Sequence, residues 1–163
     1  MKKVFALVSA AALSLGLFYS CTKTGTEDPV TVDPAQEVSG TYSGTLTVTV
    51  FGSPTPIEKD ITITKSGEGT VDLQIADFEF MSMPLGTITL SDCEVTEAGE
   101  DSYTLSSEQT ISLELVGECG VSMSGTYSGN GELTMDLSIS VTTPIEMTVA
   151  VNFEGSKGGQ AAE

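Results

Sequence analysis

Any chemistry in this chain falls to carboxylates, hydroxyls, thiols and lysine, because its 163 residues include no His, Trp or Arg. Without His there is no Ser-His or Cys-His nucleophile and no histidine zinc site; without Arg there is no bidentate clamp for phosphate or carboxylate. Of the three cysteines, Cys93 and Cys119 are too few for a structural zinc site and too far apart for a Cys-x-x-Cys redox motif. Paired carboxylates leave glycosidase-type chemistry formally open. The pattern singles out no pair, since Asp72, Glu114, Asp136 and Glu146 fall on the polar phase of alternating segments and read as solvated surface charge. Asp77 and Glu79 alternate with Phe78 and Phe80, a better place for a functional group, and still read as surface. There is no Asp-x-Asp-x-Asp-Gly calcium loop, and Ser66-Gly67-Glu68-Gly69 is followed by neither the Lys nor the helix of a phosphate loop. The expectation is a non-enzyme that uses no cofactor and holds no metal.

The first residues look like an export signal. Lys2 and Lys3 precede an apolar run from Val4 to Leu17, too short for a membrane span. Phe18-Tyr19-Ser20-Cys21 then resembles a bacterial lipobox, which would make Cys21 the lipidated first residue of the mature chain; plain cleavage to a secreted product is the alternative. The expected organisation is a signal peptide over 1–20, a flexible tether over 21–37, a folded domain over 38–155 and a disordered tail over 156–163. The tether reading rests on Thr22 to Glu37, rich in Thr, Asp, Glu, Pro and Gly with no apolar period. The chain is thus expected in the cell envelope, anchored at the outer membrane, touching lipid through the anchor alone.

Loss of the first twenty residues leaves 4 basic and 23 acidic residues, a formal charge of −19. Such a surface repels phosphate backbones and anionic head groups, so nucleic acid is not an expected partner. Solubility is the simpler reason for the charge, with binding of cations or a basic partner as the other. An exported chain meets an oxidising compartment, so Cys93 and Cys119, 26 residues apart, form either a disulfide contributing roughly 3 kcal/mol or two separately buried thiols.

From Val38 the apolar residues recur with period two, and no segment of ten or more residues has helical spacing, so the fold class is all-β. Eight strands follow: Tyr42–Val50, Ile57–Thr64, Val71–Phe80, Ile88–Val95, one long bent strand Tyr103–Leu115 with a polar middle, Val121–Tyr127, Leu133–Val141 and Ile145–Phe153. The apolar phase slips between Ile75 and Phe78, and again between Leu90 and Cys93, which predicts bulges near Asp77 and Ser91. Hairpin-length turns between all of them predict an antiparallel up-and-down barrel, closed so that no edge is exposed. A membrane-spanning barrel would alternate the same way with its faces exchanged; the absence of Trp and the short turns at both ends argue against it.

The hexapeptide Ser-Gly-Thr-Tyr-Ser-Gly occurs twice, at Ser39–Gly44 and Ser124–Gly129. It reads as similar packing at two places on a barrel end, with a shared ligand contact as the sharper alternative. Tyr42, Tyr127, Phe78 and Phe80 are the candidate barrel-end contacts. The run Val38–Leu46, together with Met83-Pro84-Leu85-Gly86-Thr87-Ile88 and Glu108–Leu113, resembles the calycin-like β-barrel family of bacterial secreted lipoproteins over roughly Val38 to Gly155. Gly40-Thr41-Tyr42 is also similar to the Gly-x-Trp that opens lipocalins, with Tyr for Trp. The resemblance implies a lipocalin-like barrel and carries no ligand residues with it.

Two functions follow. The barrel binds a small apolar or amphipathic ligand, or it is filled by its own side chains and works from outside through a protein or glycan partner at the cell surface. An enzyme would have to rely on carboxylate, hydroxyl or lysine chemistry alone.

Overall fold

Alternation puts successive side chains on opposite faces of a strand, and a chain that alternates throughout hides its apolar face by curling the sheet shut. The computed structural model describes residues 32–80, 83–113, 116–142 and 146–158. One short helix, α1 (Pro34–Val38), precedes β1 (Gly40–Val50), β2 (Ser53–Gly67), β3 (Thr70–Phe80), β4 (Met83–Gly99), β5 (Ser102–Leu113), β6 (Gly117–Ser128), β7 (Glu132–Val141) and β8 (Met147–Lys157). Each strand pairs antiparallel with the next, and β1 pairs with β8 to close the barrel. The apolar face is inside, from Tyr42, Leu46 and Val48 on β1 to Val149, Val151 and Phe153 on β8, and no polar or charged residue is buried among the described residues. Thr, Ser, Asp and Glu line the outside, so the faces are the reverse of those of a membrane-spanning barrel.

Both expected bulges are present. The β3–β4 register shifts between Ile75 and Phe78, where Asp77 has φ 48°, and between Val71 and Leu73, opposite Asp92 at φ 50°. Left-handed backbone at a non-glycine residue is strained, and an aspartate tolerates it better than most. The bent fifth strand is indeed one strand.

The domain boundaries need correction at both ends. Residues 33–37, expected in the tether 21–37, fold with the domain: the Asp33 side chain accepts a hydrogen bond from Ala35 N at 3.0 Å and caps α1. Ala35 and Val38 are fully buried, so α1 closes one end of the barrel. At the other terminus, Ser156 and Lys157 were expected in the tail, yet they pair with Ser43 and Tyr42 as the last residues of β8. Gly117 and Glu118, expected in a turn, open β6. The expected signal peptide, the expected lipidation site Cys21, Leu115 and Ile145 lie outside the described residues.

Candidate functional site

Register decides which of the expected site residues meet. The end closed by α1 also holds the β2–β3, β4–β5 and β6–β7 turns. There Tyr42 and Tyr127, one from each copy of the repeated hexapeptide, meet edge to face at 6.0 Å and 82°. Tyr103 stacks at a tilt on Tyr127, also at 6.0 Å. The Tyr42 hydroxyl donates to Val38 O at 2.5 Å, and Lys157 Nζ donates to Glu37 O at 2.8 Å while lying 5.7 Å from the Tyr127 ring centre. Burial and the neighbouring Tyr127 push the Tyr42 phenol well above its ordinary range. The two tyrosines of the repeat thus pack against each other, with the Tyr42 hydroxyl held by the end of α1. Phe78 sits in the opposite half, beyond the β3 bulge, and does not join the tyrosines; the Phe80 side chain lies outside the described residues.

The seat of α1 is clasped by an ion pair between Lys65 and Asp33, whose carboxylate also accepts from Gly69 N at 3.1 Å. Hydrogen bonding to Lys65 holds the Asp33 carboxyl below its ordinary 3.8. A lowered folded-state pKa means the clasp is complete above that ordinary value and is lost as pH falls through the lower one. The melting temperature of Asp33→Asn is therefore expected to fall less between pH 5 and about pH 3 than that of the parent; equal slopes would remove Asp33 from the acid response.

A disulfide between Cys93 and Cys119 is not formed: both are free, buried thiols. Glu94 pairs with Ser106 and Ser107 with Met123, so Cys93 is level with Met123, two strands away, and Cys119 lies four residues further along β6. Two strand spacings and four residues of rise put their Cα atoms roughly 15 Å apart, against the ~7 Å limit for a bridge. Burial raises both thiols above their ordinary range, which keeps them protonated and unreactive.

The feature that could act lies between the two bulges. β2 pairs with β3 only from Ile61 to Gly67, leaving Ser53–Asp60 without a β3 partner. Pairing of β4 with β5 covers only Glu94 to Gly99, leaving Met83–Cys93 without a β5 partner. The outer parts of β3 (Ala76–Phe80) and β4 (Met83–Ser91) are therefore a two-stranded flap held by their own ladder, with a seam on each side. Each seam is bridged near a bulge by one polar side chain at an otherwise apolar inward phase. Lys59 donates to Ala76 O at 3.2 Å and Asp77 O at 2.8 Å. Gln109 accepts from Ser91 N at 3.1 Å and donates to Ser91 O at 3.0 Å, replacing the missing ladder. An outer groove of about 450 Å³ lies at the bridged end of the first seam, beside Lys59 and Asp77, and one of about 750 Å³ at the bridged end of the second, beside Asp92 and Gln109. The inner face of the flap carries Phe78, Leu85, Ile88 and Leu90, all buried.

Neither bridge was foreseen, although both left a trace in the sequence. Lys59 interrupts the series Ile57, Ile61, Ile63, and Ser107 and Gln109 interrupt Leu105, Ile111, Leu113. Asp77, weighed as a functional acid, contributes its carbonyl and its backbone turn instead.

This closed barrel coincides with a match to the model of the calycin-like β-barrel domain over residues 38–156. The chain belongs to the calycin-like β-barrel family. No curated protein matches it. Among solved structures, a candidate outer membrane protein from Bacteroides fragilis NCTC 9343 is similar to the calycin-like chain at 22% identity and a TM-score of 0.64. The alignment covers 77% of this chain and 53% of that one, so the chain spans about half the length of that neighbour. At this identity the likeness is one of fold. The calycin-like domain thus has an apolar interior, one end closed by α1, and one stretch of wall that leaves its neighbours.

Proposed function

We propose that this calycin-like domain is a non-enzymatic binding module of the cell envelope that takes up one apolar or amphipathic molecule when the β3–β4 flap swings outward. The observation that carries the reading is the pair of seams: Phe78, Leu85 and Ile88, part of the core in the half away from α1, sit on the part of the wall with the fewest ladder bonds to the rest. When they leave, the space they vacate is lined by apolar side chains alone. Magnitudes then limit the ligand. Exposing those three side chains costs roughly 5–9 kcal/mol, and a buried methylene returns ~0.8 kcal/mol, so the ligand needs on the order of ten methylenes. A head group left at the seam would meet Asp60, Asp77 and Asp92, which favours a neutral or cationic head. Envelope placement is supported by the export pattern ending at Cys21 and agrees with the neighbour from Bacteroides fragilis being a candidate outer membrane protein.

The test uses the neutral fluorescent probe N-phenyl-1-naphthylamine and a single-chain neutral amphiphile. The protein is expected to brighten the probe, the amphiphile to displace it, and native mass spectrometry to show a bound mass that organic extraction removes. Replacing both bridges (Lys59→Met with Gln109→Leu) removes four hydrogen bonds to the flap of about 1 kcal/mol each and is expected to speed uptake at least about tenfold, with roughly a thousandfold as the ceiling. If the probe stays dark and no mass is bound, uptake is excluded.

The second reading then stands: a filled barrel that meets a protein or glycan partner through its outer wall. It is favoured by the burial of most inward apolar residues and by an outer groove of about 450 Å³ lined in part by Ser122, Ser124, Asp136 and Asn152.

A further inference from the structure

The two seams beside the flap differ in chemistry. Along the first, the partnerless stretch of β2 contains Pro54 and Pro56. Proline has no N–H to offer and is a common means of blunting a free strand edge. Lys59 fills the upper part of the same seam. Along the second, Ser107–Leu113 of β5 pairs with β6 on one side and has no β4 partner on the other. No proline interrupts it. In an antiparallel sheet about half of a strand's N–H and C=O groups point to each neighbour, so this stretch presents three or four of each to the slot. Across the slot, Leu85–Leu90 of β4 likewise has no partner on that side. Gln109 closes only the top of the slot, at Ser91.

The top of the slot is acidic: Asp92, Glu94 and Glu108, and no lysine, line an outer groove that runs over the end of the β4–β5 ladder and past Gln109. Of the lysines among the described residues, Lys59 bonds Ala76 and Asp77, Lys65 pairs with Asp33, and Lys157 bonds Glu37. With a net formal charge of −17 over the whole sequence, a second copy of this chain is repelled.

We infer that the slot between β4 and β5 receives an extended segment of a partner protein, added as a strand along Ser107–Leu113 and carrying lysine or arginine toward Asp92, Glu94 and Glu108. Main-chain pairing holds the segment, and the acidic rim selects its charge. This inference does not rest on ligand uptake, because the unpaired edge of β5 is present whether or not the flap opens.

The test is amide hydrogen exchange on the full-length protein, with a seven-residue peptide alternating Lys and Val as probe. A second peptide of the same sequence, N-methylated at every residue, keeps the charge and loses the donors. The first peptide is expected to slow exchange at alternate amides of Ser107–Leu113 at least about tenfold, and the second to leave it unchanged. Equal effects from both peptides would reduce the interaction to charge attraction and overturn the inference. So would protection of these amides in the free protein, no protection by the first peptide, or protection that grows with protein concentration alone, which would make the partner a second copy.

Discussion

Gly44→Ala is expected to lower the stability of the barrel by about 3 kcal/mol or more, the upper range for overpacking, read as a shift in the urea midpoint at unchanged m-value. Gly44 faces inward between Tyr42 and Leu46 and lies opposite Gly155 where β1 and β8 close the ring. A Cβ built there would stand 2.2 Å from Glu154 O and 2.4 Å from Gly155 Cα. Both are main-chain atoms, so relief requires the two strands to part at the closure. Two other glycines grade the effect. At Gly125 the added Cβ would meet Met135 Cγ at 2.7 Å, a flexible side chain that can yield, although Thr134 O at 3.0 Å cannot; about 1–2 kcal/mol is expected there. At Gly120 nothing lies within 4 Å, and Gly120→Ala is expected to fall within about 0.5 kcal/mol of the parent. If Gly44 and Gly120 behaved alike, the close approach of β1 and β8 would not be limiting.

Phe153→Ala has the second large expected effect, a loss of about 3–5 kcal/mol. The Phe153 ring is fully buried and lies over Gly155, where a Cβ would come within 2.4 Å of its Cζ, so the ring fills the hole that glycine leaves. Its truncation leaves a cavity bounded by main chain, which relaxes poorly. The variant also separates two levels of stability. Native-state hydrogen exchange is expected to show the full loss in β6, β7 and β8, while opening of the flap, which does not involve Phe153, keeps its free energy until global unfolding undercuts it. Phe78→Ala is expected to lower both together. A uniform response to Phe153→Ala even above that crossover would mean the flap does not open as a unit.

These predictions rest partly on features the sequence displayed openly. Eight runs of alternation fixed the strand number, and the phase slips at Phe78 and Cys93 located the bulges, because a bulge must move the apolar set to the other parity. The helix α1 was illegible for a physical reason: five residues make little more than one turn, and two small apolar contacts, Ala35 and Val38, sit in a polar stretch that looks like a linker. Pairing of the cysteines depends on inter-strand register, which alternation within each strand does not contain. The seams were visible as Lys59, Ser107 and Gln109 at inward phase, but a polar residue at such a position marks a seam only once its neighbour across the gap is known. Tyr42 and Tyr127, grouped by the repeated hexapeptide, meet edge to face beneath α1, while Phe78, grouped with them, belongs to the flap.

The pairing of the first strand with the last has a consequence for how the chain can be rewired. Tyr42 lies beside Lys157, and Gly158 N donates to Thr41 O at 2.6 Å, so the two ends of the barrel are spatial neighbours. A linker of a few residues could join them, and new termini could be cut in the exposed turn at Glu100 and Asp101, which joins β4 to β5. In the native order the ring cannot shut until β8 arrives to meet β1, which makes closure the most non-local step and places the domain among slow-folding all-β proteins. In the permuted chain, with the linker running from Gly158 to Val32 so that α1 is kept, β8 and β1 would become consecutive strands and the β4–β5 junction would close last.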